Sequence, residues 1–347
     1  MSTEKQLARS FDLGTACTAV LAAFGVQIVL QLIFSLFSLS AVALTWTVVV
    51  LNQVVFATVA IVFSRVKKVD LIAVTGVKHP PKWYYFPIFF LIAICCLTCF
   101  GPLSGLFSRL LVKMGYDHTP TYYIPLDNGG LFTLAFFALT ILPVLGEETI
   151  LRGVLLSGGK QKSPLFAIFF SAMIFAFLHG NLHQLVHQFL LGAVMGYLVY
   201  LTGSIYASAT IHFANNAFAL LLEYGRHHDF VDKTFYWYVG GKLGAKPTII
   251  GMSISLFALT MFLVFLTCLI HRDRAKTKEY IPSEGKLGER ISAYLFYLST
   301  PTATAETEAK NEHANRKPLS PDTILITVIL SVVLAATVFL TLIPGVK

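Results

Sequence analysis

Apolar runs long enough to cross a bilayer recur along almost the whole chain, near 14–38, 43–63, 84–107, 129–157, 163–180, 183–201, 203–223, 248–270 and 323–343. A spanning helix needs about 20 mostly apolar residues. Inside hydrocarbon, its backbone polar groups must be satisfied within the segment itself, which leaves helices and closed barrels as the only solutions. The runs are unbroken rather than alternating, so they predict an all-α chain, a polytopic transmembrane helical bundle of about nine spans. Charge agrees with this. Only 13% of the 347 residues are charged, where a soluble domain carries roughly 25%.

The net charge of +8 does not imply a nucleic-acid partner. Basic residues sit in the segments between apolar runs, as in Arg65, Lys67, Lys68, Lys78 and Lys82, where they set orientation in a membrane. Lys and Arg accumulate on the side that holds the N-terminus, which predicts a cytoplasmic N-terminus. The five cysteines, Cys17, Cys95, Cys96, Cys99 and Cys268, all lie in apolar segments and read as small buried residues. The first apolar run is too long for a cleaved signal and is followed at once by another. Three regions follow: spans at 1–128, a central helical core at 129–223 carrying the polar motifs, and a C-terminal extension at 224–347 with two spans and a polar loop. The segment around Gly115–Pro120 reads as a loop.

Three ionisable residues interrupt the fourth run, in Gly146-Glu147-Glu148-Thr149-Ile150-Leu151-Arg152. On insertion scales each costs about 2.5–3.5 kcal/mol at the bilayer centre, so the three together cost on the order of 8–10 kcal/mol if unpaired. Glu148 and Arg152 stand four apart on one helical face and are expected to pair. Glu147 points about 100° away and is left available as a general base. The fifth run ends in Phe175-Ala176-Phe177-Leu178-His179-Gly180. Glu147 and His179 are equally far in sequence from residue 163, so an antiparallel helix pair turning there puts them at similar depth. Phe175, one turn before His179, is placed to hold its ring. The seventh run carries His212 and Asn216, four apart and therefore on one face. His183 and His187 continue the spacing from His179, but Gly180-Asn181 breaks the helix, and these two read as interfacial or water-facing. The pair His227-His228 reads as solvated.

One carboxylate, two imidazoles and an amide on three helices are a set able to run amide hydrolysis. Glu147 takes a proton from water, His179 holds that water, and His212 and Asn216 donate to the oxyanion. In the alternative, Glu147, His179 and His212 ligate a divalent metal such as zinc, which acidifies the water. The sequence does not choose between them.

The order Glu147-Glu148-x-x-x-Arg152, then Phe175-x-x-x-His179, then His212-x-x-x-Asn216 resembles the CPBP family of intramembrane proteases, which includes CAAX-type prenyl proteases and bacteriocin-processing or immunity proteins. The stretch from Leu190 to Tyr197 and through Thr202-Gly203-Ser204 is also similar, and the likeness covers about 129–223. It implies a membrane endopeptidase with Glu147 and His179 catalytic, and His212 and Asn216 assisting. The implied partners are a peptide or protein substrate at the membrane and the bilayer itself. The resemblance leaves metal dependence open. Two other classes compete: a non-catalytic scaffold or immunity-type protein with the same fold, and a proton-coupled transporter using the buried Glu and His as a relay. A transporter calls for a second, repeat-related broken helix, and none matches Pro143-Val144-Leu145-Gly146.

Overall fold

A computed structural model describes residues 11, 13–116, 124–160 and 163–276. Among them the chain is helical, without strands. The principal helices are α1 (Leu13–Ser35), α2 (Ala41–Lys67), the short α3 (Leu71–Thr75) and α4 (Phe86–Lys113). They continue as α5 (Gly129–Gly159), α6 (Pro164–Leu178), α7 (Leu185–Thr202), α8 (Tyr206–His227), the short α9 (Lys233–Val239) and α10 (Ala245–Lys276). Among the described residues, six helical segments are long and apolar enough to cross a membrane: Leu13–Phe34, Ala41–Lys67, Trp83–Lys113, Gly129–Gly159, Leu182–Thr202 and Ala245–Ile270. The chain is an integral membrane protein.

The expected spans from 14 to 270 each correspond to a helix, although α6 is a shorter apolar helix and α8 is less apolar than the six. The ninth expected run, 323–343, lies outside the described residues, as does most of the Gly115–Pro120 loop. The short helices α3 and α9 were not anticipated. Each follows a side-chain cap, Asp70 before α3 and Asp232 before α9.

One apolar core joins the first and last described helices to those between them. Phe89, Ile92, Cys96, Ile150, Leu151, Phe175, Leu191, Met195, Leu198, Ile211 and Leu266 are all buried in it. Cys95, Cys96 and Cys99 are buried and unbridged, as their apolar setting suggested, but Cys17 is half-buried and Cys268, on α10, is exposed. The two helices flanking the polar motifs start from firm caps. The Asn128 side chain accepts from Leu131 N at 3.0 Å, and Ser163 Oγ accepts from Phe166 N at 3.0 Å with Pro164 in the first turn.

Internal prolines leave a signature in the packing. Proline has no N–H, so the carbonyl four residues earlier loses its usual helical donor. Pro102 lies inside α4, and the carbonyl in question, Thr98 O, receives the Tyr238 hydroxyl at 2.7 Å. Pro143 lies inside α5, and there Leu139 O receives Asn216 Nδ2 at 3.0 Å. Each substitute donor comes from another helix, so each proline fixes a tertiary contact.

Candidate active site

The site grows from irregular winding in α5. Residues Phe137–Ile141 and Thr149–Leu156 are π-helical, with ordinary α-helix between them at Leu142–Glu148. Single π turns are rare and concentrate at functional positions. Glu147 and Glu148 thus sit at the end of the α-helical stretch, and Arg152 sits in the following π stretch.

Glu148 and Arg152 are fully buried. Arg152 Nη1 donates to Glu148 Oε1 at 3.0 Å, and His212 Nδ1–H donates to the same oxygen at 2.8 Å, while Glu148 Oε2 has no hydrogen-bond partner among the described residues. The guanidinium also lies 4.7 Å from the Phe175 ring centroid and reaches Gly192 O at 3.5 Å. The pairing expected from the four-residue spacing is therefore present, with His212 as a third member. A carboxylate accepts only, so the proton on the His212 ring faces Glu148 and its Nε2 is turned to the other side. There it stands 3.8 Å from Glu147 Oε2.

Glu147 is the more accessible carboxylate, with 13% of its side chain exposed against none for Glu148. Its Oε1 accepts from Gln53 Nε2 at 2.9 Å, while its Oε2 is buried and without a hydrogen-bond partner among the described residues. The division of labour between the adjacent glutamates follows from these contacts. Each keeps one oxygen, Oε2, without a hydrogen-bond partner among the described residues, but Glu148 faces the Arg152 guanidinium and His212, whereas Glu147 meets the neutral Gln53 amide and is the more exposed.

His179 caps the C-terminal end of α6, and Gly180 follows with φ +59°. That left-handed turn ends the helix, which glycine permits without steric cost. The ring turns back along α6, and its Nδ1–H donates to Phe175 O at 2.8 Å. This satisfies one of the carbonyls a helix end leaves over and directs Nε2 away from the helix. Phe175 stands edge-on to both histidines, with centroids 4.8 Å from His179 and 5.6 Å from His212. Close helix approach makes this possible: a Cβ on Gly192 would fall 3.0 Å from both Ala172 Cα and Phe175 Cδ1.

Asn216 shares the His212 face of α8, but its amide is engaged by the carbonyl that Pro143 frees, Leu139 O. His183 and His187 are not simply water-facing. Both are half-buried: His183 Nδ1 lies 3.1 Å from Ser108 Oγ, and His187 Nε2 donates to Asn215 Oδ1 at 3.3 Å. Asn215 in turn contacts Asn216 Oδ1 at 3.4 Å. The reason is topological, because the break at Gly180 lets α7 start beside α4 and α8. His228 is likewise tied down, through Nε2–H to Leu126 O at 2.9 Å.

Gln53 was not singled out from sequence. The available signal was the Asn52-Gln53 pair inside an otherwise apolar run, since polar groups at such depth usually face the bundle.

For a metal, the donor chemistry is suitable, because both imidazoles direct Nε2 away from their anchored Nδ1. The placement does not fit as it stands: among the described residues no three His, Cys, Asp or Glu side chains converge closely enough to hold an ion. Beside the cluster runs an apolar cleft of about 590 Å³, walled by Ile72, Phe90, Leu145, Thr149, Tyr206 and Phe213 among others.

No curated protein and no solved structure matches the chain. A family model does match, described as Rce1-like, type II CAAX prenyl endopeptidase, over residues 129–218. That stretch contains Glu147, Glu148, Arg152, Phe175, His179, His212 and Asn216, and leaves out α1 to α4, α9 and α10. Residues 129–218 thus form an Rce1-like domain of the CAAX/CPBP family of intramembrane proteases, set within an integral membrane protein.

Proposed function

We propose that this protein is an intramembrane endopeptidase that hydrolyses a peptide bond in a membrane-associated protein. The observation that carries the reading is the asymmetry of the two glutamates. Glu148 is paired with the Arg152 cation and His212 and is wholly buried, while Glu147 has only the neutral Gln53 amide on Oε1, is partly exposed, and holds Oε2 3.8 Å from His212 Nε2. A scaffold or immunity-type protein needs no such free base.

In this reading Glu147 Oε2 takes one proton from a water molecule as the water oxygen attacks the scissile carbonyl carbon. His179 Nε2 holds the same water, and the Phe175 carbonyl fixes the ring that does so. The carbonyl oxygen becomes an oxyanion. His212, when its ring carries a second proton, presents Nε2–H to that oxyanion, and the proton also balances Glu147 and Glu148 against Arg152. Asn216 assists by fixing α8 against α5 through Leu139 O, with a second amide hydrogen left for the oxyanion. Glu147 then passes its proton to the leaving amine, and the C–N bond breaks.

The substrate class is a protein tail held at the membrane. A prenylated CAAX-type C-terminus is the first candidate, on the family likeness and on the apolar cleft beside the cluster. A leader peptide or a transmembrane anchor are the others. A divalent metal such as zinc at Glu147, His179 and His212 would require those side chains to draw together from where they stand, and no step above is routed through one. The side chosen for the N-terminus is the cytoplasm, on the distribution of Lys and Arg. The reading is tested by comparing the peptides of membranes that hold the wild type with those holding Glu147→Gln. Loss of C-terminal fragments from prenylated proteins in the variant supports it; identical peptide sets contradict it.

A further inference from the structure

The reactive carboxylate is held from outside the domain that the family model covers. Gln53 lies on α2, 94 residues before Glu147, and is 8% exposed. Its amide can contact Glu147 in only one orientation. A carboxylate oxygen accepts and cannot donate, so the Nε2 end must face Glu147, and it does so at 2.9 Å. The Oε1 end is buried and has no hydrogen-bond partner among the described residues. An unpartnered buried amide oxygen costs stability, which a residue retained only for packing would not need to bear.

The second observation is Gly146, the residue before Glu147. A Cβ there would fall 2.6 Å from Gln53 Oε1, 2.7 Å from Gln53 O and 2.8 Å from Gln53 Cα. Two of those atoms are backbone, so a methyl group cannot be accommodated by moving a side chain. The absent side chain is what lets α2 come close enough to α5 for the Gln53 amide to reach the carboxylate. Gly146 is not in a left-handed conformation, so close approach is its reason.

We infer that Gln53 is a positioning residue for the proposed hydrolysis: seated against Gly146, it engages Glu147 Oε1 and so leaves Oε2 as the atom that takes the proton from water. A carboxylate with both oxygens free rotates about its last bond and presents either one. With Oε1 engaged, Oε2 stays on the side of His212 Nε2, 3.8 Å away. The catalytic base is then assembled by two helices, one inside the Rce1-like domain and one before it. The inference rests on the reading of Glu147 as the general base.

The test uses full-length protein in lipid nanodiscs and an internally quenched, farnesylated peptide ending in a CAAX sequence. Gln53→Met keeps the side-chain length and removes the donor. It is expected to lower kcat about ten- to a hundredfold, the scale of a misplaced catalytic group, with KM within about twofold, because Gln53 does not touch substrate. Rates are referred to folded protein measured by size exclusion, so a purely structural role leaves kcat unchanged. Wild-type kcat in Gln53→Met together with an inactive Glu147→Gln overturns this inference alone; a Glu147→Gln protein that still cleaves overturns the proposed base as well. Gly146→Ala should act through the same contact, so the double variant should lose no more than the worse single one. Losses that multiply contradict a shared contact. The contact is also read without any substrate: Gln53→Met should lower the thermal midpoint of the wild type but not of Glu147→Met, and equal shifts in both backgrounds refute it.

Discussion

Replacing Arg152 by methionine removes one partner of a carboxylate that has no access to water. Glu148 is fully buried and Arg152 is 1% exposed, so neither solvent nor counter-ions can replace the lost guanidinium. Breaking a buried ion pair in this way costs about 3–5 kcal/mol, because the remaining charge is left uncompensated. His212 Nδ1 still donates to Glu148 Oε1 at 2.8 Å, which places the expected loss near the lower end, about 3 kcal/mol. Loss of the stack on Phe175, with its 4.7 Å separation, adds up to about 1 kcal/mol. The measurement is the denaturation midpoint of purified protein in one detergent, for wild type, Arg152→Met and Arg152→Met with Glu148→Gln. The double variant removes the stranded charge and should recover most of the loss. An Arg152→Met protein within about 0.5 kcal/mol of wild type, the range of neutral surface changes, refutes the buried pair. So does a double variant no more stable than the single.

Three further outcomes are expected. If Asn216 supplies the donor that Pro143 lacks, Asn216→Leu destabilises the wild type by about 1–3 kcal/mol and costs less in a Pro143→Ala background; equal costs contradict the contact with Leu139 O. Direct activation of water by Glu147 keeps its full rate after incubation with chelators, whereas a zinc centre at Glu147, His179 and His212 loses activity and regains it on adding zinc; metal content of the purified protein reports the same distinction. Asp273, beyond the apolar part of α10, gives a pH test. Burial pushes its carboxyl up, but hydrogen bonds from Tyr84 and from Tyr85 (2.7 Å) and the nearby Lys82 outweigh this and hold it at about 2, below the ordinary 3.8. A depressed folded value means the contribution is complete above the unfolded value and lost as pH falls through the folded one. The stability gap between wild type and Asp273→Asn should therefore be constant near neutrality and close between about pH 4 and pH 2. A gap that persists unchanged at low pH contradicts the cluster.

Much of the bundle and part of the site could be read from residue order. Apolar runs located the helices because length and hydrophobicity are local properties. The four-residue step from Glu148 to Arg152 gave the ion pair. Phe175 packs on His179 as their spacing implied. What escaped depends on which helix faces which. Gln53 and Glu147 meet across 94 residues, and nothing in the spacing of either helix encodes that meeting. The same holds for His187, expected to be interfacial or water-facing, which is half-buried and meets Asn215 across 28 residues. The π-helical winding of α5 was also hidden, although Pro143 marked where the backbone would need an outside donor.

In the proposed mechanism Glu147 Oε2 activates water for peptide hydrolysis. The most direct measurement is the turnover of a farnesylated CAAX peptide by Glu147→Gln, which keeps the shape and the burial of the side chain but cannot accept the proton. The variant should be a folded protein with the wild-type melting profile and kcat reduced by a factor of at least about 10². A folded Glu147→Gln protein that turns over at the wild-type rate would contradict this mechanism.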